Sequence, residues 1–262
     1  MTTIPLSQLP VLSAREGMVR RGSAAWTRAF FDLLFPPRCL GCQAPLPHSL
    51  PPLFCGDCIG QIHLLASPLC SRCGLPLPGG TGADHHCGTC LRKPPHYQKA
   101  RAAVFYDPPM AKAIQAWKYG GDLAGLATFA ALARHAPAVA QLAVCDYILP
   151  VPLHLRRLRQ RGFNQALLLA RILFPWNQNK IRTDLLLRQR WTEPQTGMDG
   201  RRRRLNLRGA FTLPQPDKVK NRRILLVDDV FTTGSTVNEC AQMLAAAGAA
   251  TIEVLTLARV RE

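Results

Sequence analysis

Residues 224–236 read ILLVDDVFTTGST, and the predicted fold is built around them. Its first four residues are apolar, and a pair of acids, Asp228 and Asp229, follows at once. A short apolar run bounded by polar residues is typical of a strand that is buried on both faces of a parallel sheet. The stretch therefore predicts such a strand with the acid pair at its C-terminal end, where the ligands of open α/β sheets bind.

The segment after the acids has the chemistry of a phosphate site. It predicts a turn over residues 231–235 and a helix that begins near Ser235 or Thr236. Gly234 allows a close backbone approach or a positive φ. Backbone N–H groups in such a turn, together with a helix N-terminus, form an anion site. The hydroxyl donors of this segment are Thr232, Thr233, Ser235 and Thr236.

The acid pair extends this prediction from a phosphate to a sugar phosphate. Two neighbouring carboxylates can accept hydrogen bonds from the vicinal hydroxyls of a ribose, and a phosphate pocket would lie beside them. The alternative is purely structural, with a surface acid pair and an ordinary helix N-cap. The complete string favours the functional interpretation, whereas the acid pair alone would not.

The remainder of the C-terminal part predicts an α/β fold. Strand and helix patterns alternate from residue 102 to residue 257, which favours a parallel sheet flanked by helices. The other predicted strands cover residues 102–106, 147–151 and 251–257, and the main predicted helices cover residues 110–119, 164–174 and 237–247.

Basic residues are concentrated beside the predicted site. The chain has 33 Lys and Arg against 16 acids, a net charge of +17, and residues 151–208 hold fourteen of the basic residues and only three acids. Such a charge fits nucleic acid, acidic substrates or an anionic membrane surface. No apolar run approaches the roughly 18 residues of a spanning helix. Because a signal-peptide pattern is also missing, we expect a cytoplasmic protein without stable membrane insertion.

Several polar residues are candidates to bind a pyrophosphate or to line a lid. The segment LRRLRQRGFNQ follows the predicted strand at residues 147–151, at the sheet edge expected for the acid pair. The alternative interpretation is that this segment is a solvated basic turn. Lys118 ends a predicted helix and is either a phosphate ligand or a helix-dipole partner. Residues 190–206 are a candidate lid or a disordered basic loop. The candidates are Lys118, Arg156, Arg157, Arg161, Asn164 and Gln165.

Ten cysteines in a cytosolic chain indicate metal ligands before disulfides. Eight of them form CxxC pairs separated by twelve, eleven and thirteen residues. Two such turns complete one tetrahedral zinc site, so four predict a double zinc ribbon with two structural zinc ions. Sequential pairing is expected, although the spacing also allows interleaved pairing. The predicted ligands are Cys39, Cys42, Cys55, Cys58, Cys70, Cys73, Cys87 and Cys90.

These patterns divide the chain into three parts. Residues 1–35 are a tail with a short amphipathic helix at residues 26–35, residues 36–95 are the double zinc ribbon, and residues 96–262 are the α/β domain.

The stretch at residues 224–236 resembles the signature of the type I phosphoribosyltransferases. The order FPPRCLGC, four CxxC pairs, WKYGGD, RQRGFNQ and DDVFTTGST is similar to the ComF family, also called GntX-like, over about residues 26–260. Met198 stands where the family pattern has leucine, and the run of arginines at residues 201–204 leaves open which of them fills the family position.

The resemblance implies a type I phosphoribosyltransferase-like fold that binds phosphoribosyl pyrophosphate with Mg²⁺ and serves DNA uptake. The acid pair would be catalytic and hold the ribose hydroxyls, and the following loop would bind the 5′-phosphate. The acceptor, and whether transfer is catalysed at all, stay open. The alternative is a non-catalytic module that binds single-stranded DNA or a DNA-uptake helicase. The implied ligand-binding residues are Asp228, Asp229, Phe231, Thr232, Thr233, Gly234, Ser235 and Thr236.

Overall fold

A computed structural model describes residues 36–47, 53–78, 82–121, 123–191 and 209–261. The predicted helix at residues 26–35 and most of the predicted lid at residues 190–206 lie outside these ranges.

The sheet of the larger domain is parallel and has four strands in the order β1-β6-β5-β2. These strands are β1 (Lys99–Phe105), β2 (Tyr147–Pro150), β5 (Arg223–Phe231) and β6 (Thr251–Arg259). A separate antiparallel pair joins β3 (Leu187–Arg188) to β4 (Phe211–Thr212). The predicted parallel α/β fold is therefore confirmed.

Helices cover both faces of this sheet. They are α3 (Met110–Gly120), α4 (Leu126–His135), α5 (Leu155–Arg161), α6 (Gln165–Leu173) and α7 (Ser235–Ala246), with 3₁₀ turns at Val139–Gln141, Pro175–Lys180 and Pro216–Val219. Leu225 and Val227 of β5 pack in one core with α3, α4 and α6. Ile224 and Leu226 pack on the opposite face, in the core that includes α7. This alternation explains why the apolar run of β5 is continuous rather than half polar.

Residues 155–161 correct one sequence prediction, because they form helix α5 and not a loop. His154 caps its N-terminus by accepting from the backbone N–H of Arg156, and Gly162 ends it with a φ of 78°. A left-handed residue at this position is the usual end of a helix and favours glycine. The arginines of this segment are therefore held on a helix.

The cysteine-rich part packs against the α/β domain at two places. Its short helices are α1 (Gly56–Gly60) and α2 (Gly88–Arg92). Near the first CxxC pairs, the backbone N–H of Leu53 donates to the hydroxyl of Thr128 on α4 at 3.0 Å. Near the later pairs, the backbone N–H of Ala100 on β1 donates to the carbonyl of Arg72 at 2.7 Å. The second contact pairs a backbone group of the edge strand β1 that would otherwise be unpaired.

None of the helices in the described ranges combines the length and the apolar character that crossing a membrane requires.

Candidate functional site

The acid pair opens into a cavity at the carboxyl edge of the sheet. Strand β2 ends opposite Val227, so Asp228 and Asp229 extend beyond their neighbour on that side. The cavity has a volume of about 580 Å³ and is lined by both acids, by Thr232 and Thr236, and by residues of α3, α5 and β3. Pockets that bind small molecules commonly measure about 300–1,000 Å³, so a nucleotide-sized ligand can fit.

Lys118 forms an ion pair inside this cavity. Its Nζ lies 2.9 Å from Oδ1 of Asp229, and the two side chains are only 16% and 14% exposed. Burial lowers the pKa of Lys118, but the charge of Asp229 and the hydrogen bond to it outweigh burial, so the pKa is raised overall. Sequence reasoning placed Lys118 near a phosphate or a helix dipole and did not foresee this carboxylate partner.

Asp228 has a different environment from its neighbour. Burial and the adjacent charge of Asp229 raise the pKa of Asp228 to about 7, against the opposing effects of the Asp229 backbone N–H, Lys118 and Arg188. That N–H donates to Oδ1 of Asp228 at 2.9 Å. Near neutral pH, therefore, one carboxyl of the pair is ion-paired and the other exchanges a proton.

The segment after the acids forms a tight turn into helix α7. Gly234 has a φ of 69° and stands directly before the helix. A Cβ at this position would lie 2.5 Å from Cζ of Phe231, so glycine is required for space as well as for conformation. Phe231 is buried beneath the turn, and the hydroxyls of Thr233 and Ser235 lie 2.8 Å apart. The first N–H groups of α7 have no partner within the helix and can bind an anion.

Three arginines also line the cavity and form its arginine wall: Arg157 and Arg161 on α5, and Arg188 on β3. Burial, and then the charge of Arg157, lower the pKa of Arg188 to about 10. Burial, and then the charge of Arg161, likewise lower the pKa of Arg157. The mutual repulsion of these cations favours an anion between them. Sequence reasoning missed Arg188, although an arginine within the apolar segment LLLRQR was an available signal.

Aromatic rings support the arginines of α5. The guanidinium of Arg161 lies 5.1 Å from the ring centre of Tyr119, and the guanidiniums of Arg156 and Arg157 each lie 5.6 Å from that of Trp191. Arg156 is exposed and is not part of the cavity lining.

Asn164 and Gln165 lie outside the cavity lining. The Asn164 amide donates to the carbonyl of Val151 at 3.1 Å, and its oxygen caps α6 by accepting from the N–H groups of Ala166 and Leu167. The Gln165 oxygen accepts from Arg161 at 3.2 Å. These contacts let Asn164 fix the start of α6 against the end of β2 and let Gln165 orient Arg161.

The eight paired cysteines form two clusters, each with its ligand atoms within 4.8 Å of one another. The clusters follow the sequential pairing, Cys39, Cys42, Cys55 and Cys58 in one and Cys70, Cys73, Cys87 and Cys90 in the other. Sulfur atoms of successive pairs lie 3.6 Å and 3.8 Å apart. A tetrahedron of thiolates about 2.3 Å from zinc has edges of about 3.8 Å, so the donor sets fit zinc. A disulfide would need about 2.05 Å.

Backbone N–H groups prepare one thiol of each cluster for metal binding. Burial alone would raise the pKa of Cys39, but N–H groups of Cys42, Cys55 and Gly41 donate to the sulfur and bring the pKa down to about 6. Burial likewise opposes the N–H groups of Cys87, Cys73 and Arg72, which bring the pKa of Cys70 to about 6. Zinc binds cysteine in its thiolate form, so the lowered pKa values of these two thiols favour zinc binding. His85 and His86 are exposed and belong to neither cluster.

Comparison with known proteins matches both parts of the chain. The double zinc ribbon domain matches residues 30–91, and the phosphoribosyl transferase domain matches residues 160–262. The DNA utilization protein YhgH of Escherichia coli O157:H7 is 40% identical over 195 residues, which cover 73% of this chain and 84% of that protein. The chain belongs to the ComF family.

Other members of the ComF family extend the comparison. Competence protein F of Haemophilus influenzae is 35% identical over 220 residues, which cover 78% of this chain and 96% of that protein. Competence protein ComFC of Bacillus subtilis is 25% identical over 213 residues, which cover 78% and 83% of the two chains. The names of these relatives connect the ComF family with competence and DNA utilisation.

Proposed function

We propose that this protein binds phosphoribosyl pyrophosphate with Mg²⁺ in the cavity at the end of β5 and transfers the phosphoribosyl group in a process that serves DNA utilisation. The observation that carries the proposal is the arrangement of charges around one cavity. An acid pair lies at one end of β5, a turn and helix N-terminus follow it, and three arginines line the same cavity.

Each part of this arrangement suits one part of the ligand. The N–H groups of α7 with Thr232 and Thr236 suit the 5′-phosphate. The carboxylates of Asp228 and Asp229 suit the two ribose hydroxyls. The arginine wall suits the pyrophosphate, because guanidinium groups bind phosphate oxygens in a bidentate way.

Mg²⁺ requires oxygen ligands and usually keeps several waters when it binds with a phosphorylated substrate. The acid pair and the pyrophosphate oxygens would supply such ligands, and the ion would neutralise charge on the leaving group. Lys118 Nζ lies 2.9 Å from Oδ1 of Asp229, so a ribose hydroxyl that binds this oxygen would displace the lysine ammonium group. The released ammonium group is then available to the pyrophosphate.

The protein's contribution to transfer would be positioning and electrostatic stabilisation. As the bond between the anomeric carbon and pyrophosphate breaks, positive charge develops on the ribose and negative charge on the leaving group. The carboxylates and the arginine wall have the signs that stabilise these two charges.

Calorimetric titration of phosphoribosyl pyrophosphate, with and without Mg²⁺, tests the proposal. Wild type should bind with Mg²⁺, and the double variant Asp228→Asn with Asp229→Asn should lose that binding. The control is Asp217→Asn, because Asp217 is exposed and outside the cavity lining. Equal affinity of the double variant and the control would refute the assignment.

Single-stranded DNA binding is a second candidate function, favoured by the surroundings of Trp191. Two guanidiniums lie 5.6 Å from its ring centre, and the ring of His154 lies 5.3 Å from it. Aromatic rings beside cations are the usual platform for unstacked bases.

This candidate predicts that affinity for a labelled oligonucleotide falls steeply with salt, because phosphate contacts release counterions. Trp191→Ala should weaken binding about tenfold, as expected for the loss of one stacked base. The matched control is Trp176→Ala, since Trp176 is 93% exposed and outside the cavity lining. Binding that is insensitive to salt and to Trp191→Ala would exclude this function.

A further inference from the structure

Arg259 connects the second cysteine cluster with the base of the phosphate-binding turn, which is residues 232–234 between β5 and α7. It lies on β6, is only 1% exposed, and donates from Nη1 to the backbone carbonyl of Cys73 at 2.7 Å. Its guanidinium carbon also lies 4.6 Å from the ring centre of Phe231. One buried side chain thus contacts both a zinc-ligand residue and the residue beneath the turn.

Phe231 in turn contacts the turn itself. Its Cζ lies 2.5 Å from the point where a Cβ of residue 234 would stand, so the ring packs directly against the backbone of Gly234. The ring of Tyr97 meets it edge-on, with 6.4 Å between ring centres and an angle of 84°. Tyr97 and Phe231 are both buried. The position of the Phe231 ring therefore determines how close the Gly234 backbone can lie to the sheet.

A second connection reaches the first turn of α7. The backbone N–H of His96 donates to Oδ1 of Asn238 at 2.8 Å, and the N–H of Asn238 donates to the carbonyl of Gly234 at 2.9 Å. His96 and Tyr97 belong to the short segment that joins α2 of the second cluster to β1. The same segment thus contacts Asn238 of α7 and the ring beneath the turn.

The two cysteine clusters differ in the parts of the α/β domain that they contact. The first cluster packs on the helices, through contacts such as that of Leu53 with Thr128 on α4. The second cluster packs on β1 and reaches the phosphate-binding turn through Arg259. A buried cation over an aromatic ring and a charge-assisted hydrogen bond are both stronger than their exposed equivalents.

We infer that the second zinc ribbon holds the phosphate-binding turn in shape through Arg259 and Phe231, so that Arg259 is a positioning residue for phosphate ligands. Zinc bound by the second cluster would fix the carbonyl that anchors the Arg259 guanidinium. The first zinc ribbon would support the fold without this effect on the turn. The consequence for ligand binding rests on the proposed function, whereas the mechanical connection does not.

Hydrogen exchange of the full chain without ligand tests the connection directly. Arg259→Met should accelerate exchange at the backbone amides of residues 232–238 about tenfold, because the turn would open more often. The matched control is Arg101→Met. Arg101 is equally buried and donates to the carbonyls of Cys70 and Ser71 in the same cluster, but it lies on β1 and not beneath the turn. This control should leave exchange of the turn within about twofold of wild type.

Two further arms keep the inference testable if Arg259→Met disturbs folding. Phe231→Leu keeps an apolar side chain but removes the ring face, and it should give the same acceleration. Cys90→Ser should remove one zinc and accelerate exchange of the turn, whereas Cys42→Ser should remove the other zinc and leave the turn unchanged. Native mass spectrometry counts the bound zinc, and the amides of β5 and β6 report whether the sheet is folded.

The result that overturns the inference is equal exchange of the turn in Arg259→Met and wild type, or equal acceleration by Arg101→Met. Titration with ribose 5-phosphate separates this outcome from failure of the proposed function. If wild type does not bind ribose 5-phosphate, the proposed function fails and the exchange result still decides the mechanical connection. If wild type binds it, Arg259→Met should weaken the affinity about tenfold.

Discussion

Two adjacent carboxylates with different partners line the cavity at the carboxyl edge of the sheet. Asp229 is ion-paired with Lys118, whereas Asp228 has a pKa of about 7 because of burial and the charge of its neighbour. A carboxyl with so high a pKa is frequent at functional sites, because burial and like charges shift pKa values there.

The raised pKa predicts how ligand affinity depends on pH. The carboxylate form of Asp228 accepts hydroxyl hydrogen bonds more strongly than the protonated form and attracts Mg²⁺, so affinity for the Mg²⁺ complex of phosphoribosyl pyrophosphate should rise as pH rises through about 7. Calorimetry across this range measures the effect. The phosphates of the ligand titrate near pH 6 as well, so the comparison with Asp228→Asn is essential. An identical pH profile in wild type and this variant would contradict the prediction.

The same shift predicts a change of stability with the opposite sign. A carboxyl whose pKa is raised on folding stabilises the fold at low pH, and this contribution is lost as pH rises from its ordinary value of 3.8 through about 7. Asp228→Asn is neutral at every pH. Its melting temperature should therefore exceed that of wild type above about pH 7, and the difference should shrink in acid. A constant difference across pH would show that Asp228 is not the group that titrates.

At the scale of elements, the turn between β5 and α7 depends on one glycine. An alanine at a left-handed position costs about 1–2 kcal/mol. Gly234→Ala adds the clash with Phe231, so it should lower the melting temperature and also abolish binding of ribose 5-phosphate. Gly248→Ala is the matched control, since Gly248 has a φ of 82° but its Cβ would lie 3.5 Å from Lys220, an ordinary contact. It should lower only the melting temperature, and unchanged ligand affinity in Gly234→Ala would contradict the assignment of the turn.

The two cysteine clusters predict distinct zinc counts. Native mass spectrometry should find two zinc ions in wild type and one after Cys42→Ser combined with Cys55→Ser, because both belong to the first cluster. It should find none after Cys42→Ser combined with Cys73→Ser, which damages both clusters. Interleaved pairing of the first CxxC pair with the third would give the reverse, no zinc after the first combination and one zinc after the second. Cys145→Ser is the control that should keep both ions, since Cys145 belongs to neither cluster.

Local sequence patterns predicted those elements whose causes lie within a few residues. The continuous apolar run of β5 and the evenly spaced CxxC pairs both led to confirmed structures. Helix α5 was missed because a seven-residue arginine-rich segment with only two leucines is too short to show a clear apolar period, although its capping residues His154 and Gly162 were present. A short helix of this kind is recognised in a sequence by its capping residues and not by the pattern of its interior.

The cavity itself could be predicted only in part, because its walls come from distant parts of the chain. The acid pair and the loop after it are contiguous in sequence, so their chemistry was readable. The ion pair of Lys118 with Asp229 and the position of Arg188 depend on how α3 and β3 pack against β5. No spacing in the sequence encodes such contacts.

At the scale of the whole molecule, two cysteine clusters support one cavity from different sides. The first packs on α3 and α4, and α3 carries Lys118 into the cavity. The second packs on β1 and reaches the turn between β5 and α7 through Arg259. The net charge of +17 adds a general attraction for anions, which suits both a polyphosphate ligand and nucleic acid. The zinc ribbons are thus part of the frame of the site.

A crystal structure of the protein with phosphoribosyl pyrophosphate and Mg²⁺ tests the central claim most directly. We predict the 5′-phosphate at the first turn of α7, the ribose hydroxyls on Asp228 and Asp229, and Lys118 displaced from Asp229. Density for the ligand outside this cavity, or a bound ribose whose hydroxyls contact neither carboxylate, would contradict the proposed site.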